Sequence, residues 1–227
     1  MKQRFALIAT VVLVAACAET PTGPQIALNA PSSLALATVT LANPSFESGS
    51  TGWSFPGSLG TFVDICACWS TTDGAVSVDL NGFYPGYVSQ DIATTPGTAY
   101  TVLFDLAGNP GSPQNVKELE VSAAGTSALY YFDTTGKDGT NMGWTAQSFA
   151  FTATGTTTTL MFKSLHAIYS DEFPDRAQGA AIDNIRVQYT SNNPTTVDQC
   201  KKDGWIQYGF RNQGLCIQFV NTGKDSR

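Results

Sequence analysis

The sequence is poor in charged residues, and positive charge is particularly scarce. Charged residues make up 13% of the 227 residues, and 12 Lys and Arg against 18 Asp and Glu give a formal net charge of −6. A protein that binds DNA or RNA needs clustered Lys and Arg to neutralise phosphates, and no stretch of this chain carries such a basic stripe. Nucleic acid is therefore excluded as the predicted partner.

Residues for hydrolytic catalysis are also few. The one histidine is His166, which a serine triad would need as its base, and no Gly-x-Ser-x-Gly nucleophile elbow is present. Asp171, Glu172 and Asp175 could supply the two carboxylates of a glycosidase, but acidic residues bunched in one polar loop are more often a solvated insertion. We predict that the protein is not an enzyme, and a glycosidase or esterase is the weakest alternative.

No apolar run near the N-terminus is long enough to span a bilayer, because residues 5–16 form a run of about 12 residues where about 20 are needed. Lys2 and Arg4 precede this run and Cys17 follows it, which is the three-part pattern of an export signal. The residues ending in Cys17 read Val-Ala-Ala-Cys and resemble the lipobox of bacterial lipoproteins. This resemblance implies a lipid on Cys17 that anchors the exported chain to the bacterial cell envelope, at the outer membrane or cell surface. The alternative is an ordinary secretory signal, with Cys17 a structural cysteine.

The composition divides the chain into four predicted parts. Residues 1–17 form the signal segment, and residues 18–38, rich in Pro, Ala, Ser and Thr, form a flexible tether. Residues 39–190 form a β-sandwich domain, and residues 191–227 form a C-terminal module with two cysteines. A chain of this length can bury one sizeable core plus a small appendage.

Helical periodicity is absent from residues 39–190, whereas the period of two expected for strands recurs. Tyr100, Val102 and Phe104 alternate on one face of residues 100–106. Several short strands separated by Gly, Pro and Asn predict an all-β fold, an antiparallel β-sandwich or jelly roll. Further strand candidates are residues 119–121, 129–132, 148–152, 158–162 and 181–189.

The C-terminal module has the pattern of a small helical appendage with a disulfide. A bond between Cys200 and Cys216 would close a loop for which about 3 kcal/mol of stabilisation is expected, and two short helices need such a staple. Thr195 or Thr196 could cap the first helix, and Asn212 could cap the second. The module resembles a cysteine-paired unit found at the ends of many bacterial exported proteins, a resemblance that implies no ligand.

Cys66 and Cys68 have two interpretations. They are a second disulfide, which requires a bend because alternate residues of a strand lie about 6.7 Å apart, or half of a metal site, which is a weak match for zinc. Oxidised cysteines are the usual state in an exported chain, so we predict the disulfide.

A series of short motifs, in order, resembles the choice-of-anchor C family. It opens with Asn-Pro-Ser-Phe-Glu at residues 43–47, closes with Ala-Ile-Asp-Asn-Ile at residues 181–185, and covers about residues 41–190. The resemblance implies a β-sandwich related to carbohydrate-binding modules with a galactose-binding-like jelly roll, which binds sugar or envelope polymer without catalysis. The other motifs lie at residues 52–53, 78–82, 88–90, 95–100 and 104–109.

The same resemblance implies a structural calcium ion. In related carbohydrate-binding modules, a Glu after the first Asn-x-x-Phe and an Asp of the last strand meet around calcium, and Glu47 and Asp183 match them here. Calcium takes about six to eight oxygen ligands, and Asn43 is a weaker candidate ligand that could equally form a turn. The alternative is that Glu47 and Asp183 bind turn backbone without metal.

Aromatic residues gather around one loop with Gly and Pro turns. Trp69, Phe83, Tyr84 and Tyr87 are the predicted ligand-binding residues, because exposed rings stack well on the apolar faces of sugars. Packing in the core or at its rim is the alternative for each of them.

We predict a non-catalytic, lipid-anchored exported module that binds a cell-surface or extracellular polysaccharide. A structural or adhesive envelope protein that binds protein partners is the alternative. Phe46 and Trp53 of the first motifs are predicted to be buried, so the opening motif holds the fold and the ligand is expected near residues 83–87.

Overall fold

The computed structural model describes residues 35–111, 114–165, 179–191 and 193–227. The predicted signal segment with Cys17 lies outside these residues, and so does the segment that holds His166 and the acidic residues from Asp171 to Asp175. The predictions made for them stay predictions.

Two antiparallel sheets form a β-sandwich, which confirms the predicted fold class. The strand orders are β2–β3–β10–β5–β8, with β1 also paired to β10, and β4–β9–β6–β7. The first sheet consists of β1 (Ala35–Val39), β2 (Asp64–Cys66), β3 (Ser77–Asp79), β5 (Ala99–Gly108), β8 (Thr145–Thr152) and β10 (Ala180–Ser191). The second consists of β4 (Tyr87–Ala93), β6 (Val116–Ala123), β7 (Thr126–Asp133) and β9 (Thr157–Ser164).

The core lies between the two sheets. Phe104 of β5 and Phe162 of β9 meet there with ring centroids 5.2 Å apart, because alternate residues of each strand face inward. Phe46 and Trp53 are both buried, with ring centroids 5.2 Å apart, and Trp53 also approaches Phe162. The predicted burial of the opening motif is confirmed.

Strand β1 pairs with the end of β10, from Ala35 opposite Ser191 to Val39 opposite Val187. Residues 35–38, which were predicted to belong to the tether, are therefore part of the sandwich. Residues 35–38 have no alternating pattern strong enough to predict a strand, and the pairing with β10 supplies the backbone hydrogen bonds that form one.

The C-terminal residues form three short helices, α1 (Val197–Cys200), α2 (Gly204–Gln207) and α3 (Gln213–Thr222). Thr196 caps α1 and Asn212 caps α3, as predicted. Lys202 and Asp203 both have positive φ, so the first predicted helix is split into α1 and α2. No helix among the described residues has the length and hydropathy needed to cross a membrane.

Both predicted disulfides are present. Cys200 and Cys216 join α1 to α3, with Cα atoms 5.7 Å apart. Cys66 and Cys68 are joined at the end of β2, with Cα atoms 5.2 Å apart, which is shorter than the spacing of about 6.7 Å in an extended strand. The chain bends there, as the prediction required.

Candidate functional site

Two loops, residues 57–62 and 80–86, lie directly against each other. A Cβ added at Gly86 would lie 2.2 Å from the carbonyl oxygen of Phe62. Only a residue without a side chain allows two backbones to come so close. The glycine therefore holds the aromatic residues of the second loop against the first loop.

Together the two loops present a patch of apolar side chains. Leu59, Phe83 and Tyr84 are 46%, 44% and 47% exposed. Phe62 is half-buried against the core, and its ring centroid lies 5.7 Å from that of Tyr84. We call these four residues the loop patch. Exposed rings fixed on a packed base can bind flat apolar surfaces without much loss of conformational entropy.

The four predicted ligand-binding residues have different positions. Phe83 and Tyr84 belong to the loop patch. Tyr87 is half-buried at the start of β4, opposite Lys163 of β9. The half-buried Trp69 packs against the core, and its indole N–H donates to Ser77 Oγ at 2.7 Å. For Trp69, therefore, the structure has the packing arrangement that the sequence left as the alternative.

Leu59 and Phe62 are members of the loop patch that the sequence reasoning missed. The signal was weak but present, because Leu59 stands between Ser58 and Gly60 in a turn-forming stretch where no strand or helix buries it. The approach of Phe62 to Tyr84 depends on a contact between distant parts of the chain, which no local pattern reveals.

The predicted metal ligands Glu47 and Asp183 both bind the loop of residues 71–76. Glu47 Oε1 accepts hydrogen bonds from the N–H groups of positions 75 and 76, both at 2.9 Å. Asp183 Oδ2 accepts from the Thr72 N–H at 2.8 Å and the Thr72 hydroxyl at 3.0 Å. Burial raises the pKa of the Asp183 carboxyl, and the hydrogen bonds from Thr72 oppose that rise.

Asn43 organises the turn that precedes Glu47. Its Nδ2 donates to the Gly49 carbonyl at 2.8 Å, and its Oδ1 accepts from the Ser48 N–H at 2.9 Å. Its backbone has a φ of 49°, a conformation that Asn tolerates better than most residues. The sequence left two roles open for Asn43, calcium ligand or turn-former, and in this arrangement it forms the turn.

Calcium at Glu47 and Asp183 stays a prediction. Glu47 Oε1 and both oxygens of Asp183 accept hydrogen bonds, Asp183 Oδ1 from the Asn184 N–H at 2.7 Å. A cation would therefore have to use Glu47 Oε2, or displace some of these donors, and complete its shell with carbonyl or water oxygens. Within the described ranges, one group of three His, Cys, Asp or Glu side chains has potential ligand atoms within 4.8 Å of one another. It consists of Asp64, Cys66 and Cys68. Both of those cysteines are in the disulfide, so they offer no thiolate.

A second polar feature lies inside the sandwich, where Asp79 of β3 and Lys117 of β6 are both buried. Asp79 Oδ1 accepts from the N–H groups of Asn81 at 2.8 Å and Gly179 at 3.0 Å, and Oδ2 accepts from Asn109 at 2.9 Å. Burial raises the pKa of Asp79 to about 7 and lowers the pKa of Lys117 to about 8, and each charge partly offsets the effect on the other. No local sequence pattern predicts this pair.

Comparison with known sequences matches most of the sandwich to one family. Residues 47–188 match the family described as "Protein of unknown function (DUF642)". The chain is also 30% identical over 144 residues to halomucin of Haloquadratum walsbyi, an alignment that covers 63% of this chain. It spans 1% of the length of halomucin.

Among solved structures, several carbohydrate-binding modules are similar to this chain. A family 35 module from Clostridium thermocellum has 10% identity and a TM-score of 0.44, and covers 67% of this chain and 97% of its own. A family 61 module in complex with β-1,4-galactotriose has 18% identity and a TM-score of 0.45, and covers 68% and 100%. At these levels the likeness carries no conclusion about a ligand.

Proposed function

The chain belongs to the DUF642 family, and we propose that it is a non-catalytic module that binds a polysaccharide at the cell surface or outside the cell. We also propose that the lipid predicted on Cys17 holds it at the bacterial cell envelope. The observation that carries the proposal of polysaccharide binding is the loop patch, in which Leu59, Phe83 and Tyr84 are each more than two-fifths exposed.

The chemistry of the loop patch suits a sugar. The faces of pyranose rings carry C–H groups, and these apolar faces pack well on exposed aromatic rings. Tyr84 adds a hydroxyl that can donate to or accept from a sugar hydroxyl. The two loops are fixed by the close approach at Gly86, so little ordering is needed on binding.

The net charge of the chain favours a neutral polysaccharide. With 18 acidic against 12 basic residues, the chain would repel a polyanion such as a uronic acid polymer. The non-catalytic part of the proposal rests on the sequence, which has one histidine and no nucleophile elbow.

The test is binding of the domain from residue 35 to 227 to a glycan array and to insoluble polysaccharides. We expect Phe83→Ala and Tyr84→Ala to lower affinity about tenfold or more, because each removes an exposed ring. Leu36→Ala is the matched control, since Leu36 is 66% exposed on β1, outside both loops.

Each variant must keep the melting temperature of the unchanged domain. If the folded domain binds no glycan on the array, the proposal of glycan binding is contradicted. Capture of one defined protein partner by the loop patch, without any glycan, would favour the adhesive alternative instead.

A further inference from the structure

The outer face of the four-stranded sheet is more apolar than a solvent-facing sheet needs to be. Leu129 and Tyr131 of β7 are 53% and 58% exposed, and Val116 of β6 is exposed on the same face. Alternation along these strands places their buried neighbours on the core side. Polar side chains would be expected at such positions. Three large apolar side chains on one face therefore indicate a surface that contacts a ligand or partner.

This face also contains a shallow depression lined by Ser and Thr hydroxyls together with apolar surface. The depression measures about 530 Å³, and it runs over β6, β7 and β9 toward the two hairpin turns. Ser122, Ser127 and Thr159 supply hydroxyls, Met161 supplies an apolar floor, and Glu120 stands at its edge. Hydroxyl and carboxylate groups beside apolar surface match the alternating hydroxyls and C–H faces of a sugar chain.

The register of the strands aligns further side chains in one row across the sheet. Leu129 is opposite Glu120, Glu120 is opposite Lys163, and Lys163 is opposite Tyr87. The row crosses three interstrand spacings, about 14 Å in all. It ends at Tyr87, which directly follows the loop of residues 80–86. That loop carries Phe83 and Tyr84 of the loop patch, so the face and the loop patch are adjacent along the chain.

Two carboxylates on this face are available to a ligand. Among the described residues, the side-chain carboxylates of Glu118, opposite Tyr131, and of Glu120 make no hydrogen bond or salt bridge. A carboxylate is an acceptor only, and it binds sugar hydroxyls well. The same charges disfavour a polyanionic polymer and a membrane rich in anionic lipids.

We propose that this face binds an extended stretch of a neutral polysaccharide that runs across the four strands, from Tyr87 to Leu129 and Tyr131. The inference rests on the proposed function, since it takes the ligand to be a glycan, but it uses residues outside the loop patch. The apolar side chains contact the sugar faces, and Glu118 and Glu120 accept hydrogen bonds from sugar hydroxyls.

The test compares neutral β-1,4-linked trisaccharides and hexasaccharides of galactose, xylose and glucose by calorimetry. A ligand laid across the sheet should bind more tightly as a hexasaccharide than as a trisaccharide. We expect the double change Leu129→Ser and Tyr131→Ala to lower hexasaccharide affinity about tenfold and to abolish that preference. Glu118→Gln with Glu120→Gln should lower affinity while leaving the melting temperature unchanged, and Leu36→Ala should change neither.

The outcomes separate the two proposals. If the unchanged domain binds hexasaccharides and only Phe83→Ala and Tyr84→Ala weaken it, the sheet face is not a glycan site and the proposed function stands. If the domain binds no glycan at all, both proposals fail. Tighter binding to polygalacturonate than to the neutral chains would overturn the role given to Glu118 and Glu120.

Discussion

Glu47 and Asp183 accept hydrogen bonds from the two ends of one loop, residues 71–76, although they come from opposite ends of the sandwich sequence. Glu47 binds the N–H groups of positions 75 and 76, and Asp183 binds Thr72. Each carboxylate satisfies backbone donors that the loop cannot pair internally. The opening motif and the last strand are thereby tied to the same segment.

Substitution of Glu47 separates the hydrogen-bonding role from a calcium role. Glu47→Ala removes an acceptor of two N–H groups and should lower the free energy of unfolding by about 1–2 kcal/mol. Glu47→Gln keeps an acceptor oxygen and should cost less. If calcium also binds, as the sequence predicts, chelation should lower the melting temperature of the unchanged domain, and both variants should lose that response.

The measurement is thermal unfolding with added calcium and with excess chelator. Asp91→Asn, on the outer face of β4, is a suitable control because it lies away from the loop. A melting curve unchanged by chelation would remove calcium from this site and leave the hydrogen bonds as the whole role of Glu47.

Gly86 is predicted to be essential for the shape of the loop patch. Gly86→Ala would bring a Cβ to 2.2 Å from the Phe62 carbonyl oxygen, so one of the two loops must move. We expect the stability of the domain to fall by about 1–3 kcal/mol and glycan affinity to fall although no binding side chain has changed. Gly97→Ala is the control for the steric effect of an added Cβ, because no atom lies within 4 Å of a Cβ at position 97. Its positive φ means that this control also introduces some backbone strain. Unchanged affinity in a folded Gly86→Ala domain would show that the loops need not touch.

The buried Asp79 predicts that stability falls as pH rises from about 4 to 7. Its carboxyl ionises near 3.8 in the unfolded chain and at about 7 in the folded protein. Between those values the folded state binds more protons, so raising the pH favours unfolding. Asp79→Asn should flatten the dependence of the unfolding free energy on pH across this window, as measured by denaturant titration at several pH values.

Lys117 provides an independent check on that interpretation. Its charge lowers the pKa of Asp79, so Lys117→Met should leave the onset of the fall in stability near about pH 4 and extend the fall to a higher pH. A pH profile identical in the unchanged domain and in Asp79→Asn would contradict a buried, titrating carboxyl.

The disulfide between Cys200 and Cys216 is predicted to hold the helical module but not the sandwich. The module has its own small core of Cys200, Tyr208, Phe210 and Cys216, and helices of such length are unstable alone. Changing both cysteines to Ser should remove about 3 kcal/mol from the module, with loss of helical circular dichroism and cleavage by protease after residue 191. The melting temperature of the sandwich should stay the same, and a parallel loss would show that the two fold together.

The sequence was sufficient for features encoded by local pattern. Alternation located the strand of residues 100–106, and side-chain chemistry located the caps at Thr196 and Asn212, because periodicity and capping act within a few residues. Strand β1 was missed, since its position depends on pairing with β10.

The sequence could group candidate site residues only where they lie in one loop. Phe83 and Tyr84 are adjacent in sequence, whereas Phe62 meets Tyr84 through a contact between distant segments. The Asp79 and Lys117 pair depends on which strands face each other across the core. Such relationships are set by the packing of sheets, and no single stretch of sequence carries them.

The pairing of Ala35 with Ser191 means that the chain enters and leaves the sandwich at one point. A pull between a membrane anchor and the C-terminal module would act on that point alone. It would separate β1 from β10 by breaking their hydrogen bonds one after another, because the loaded ends of this antiparallel pair are adjacent. The load would bypass the core, the loop patch and the outer face of the four-stranded sheet, so β1 could detach while the proposed glycan sites keep their shape.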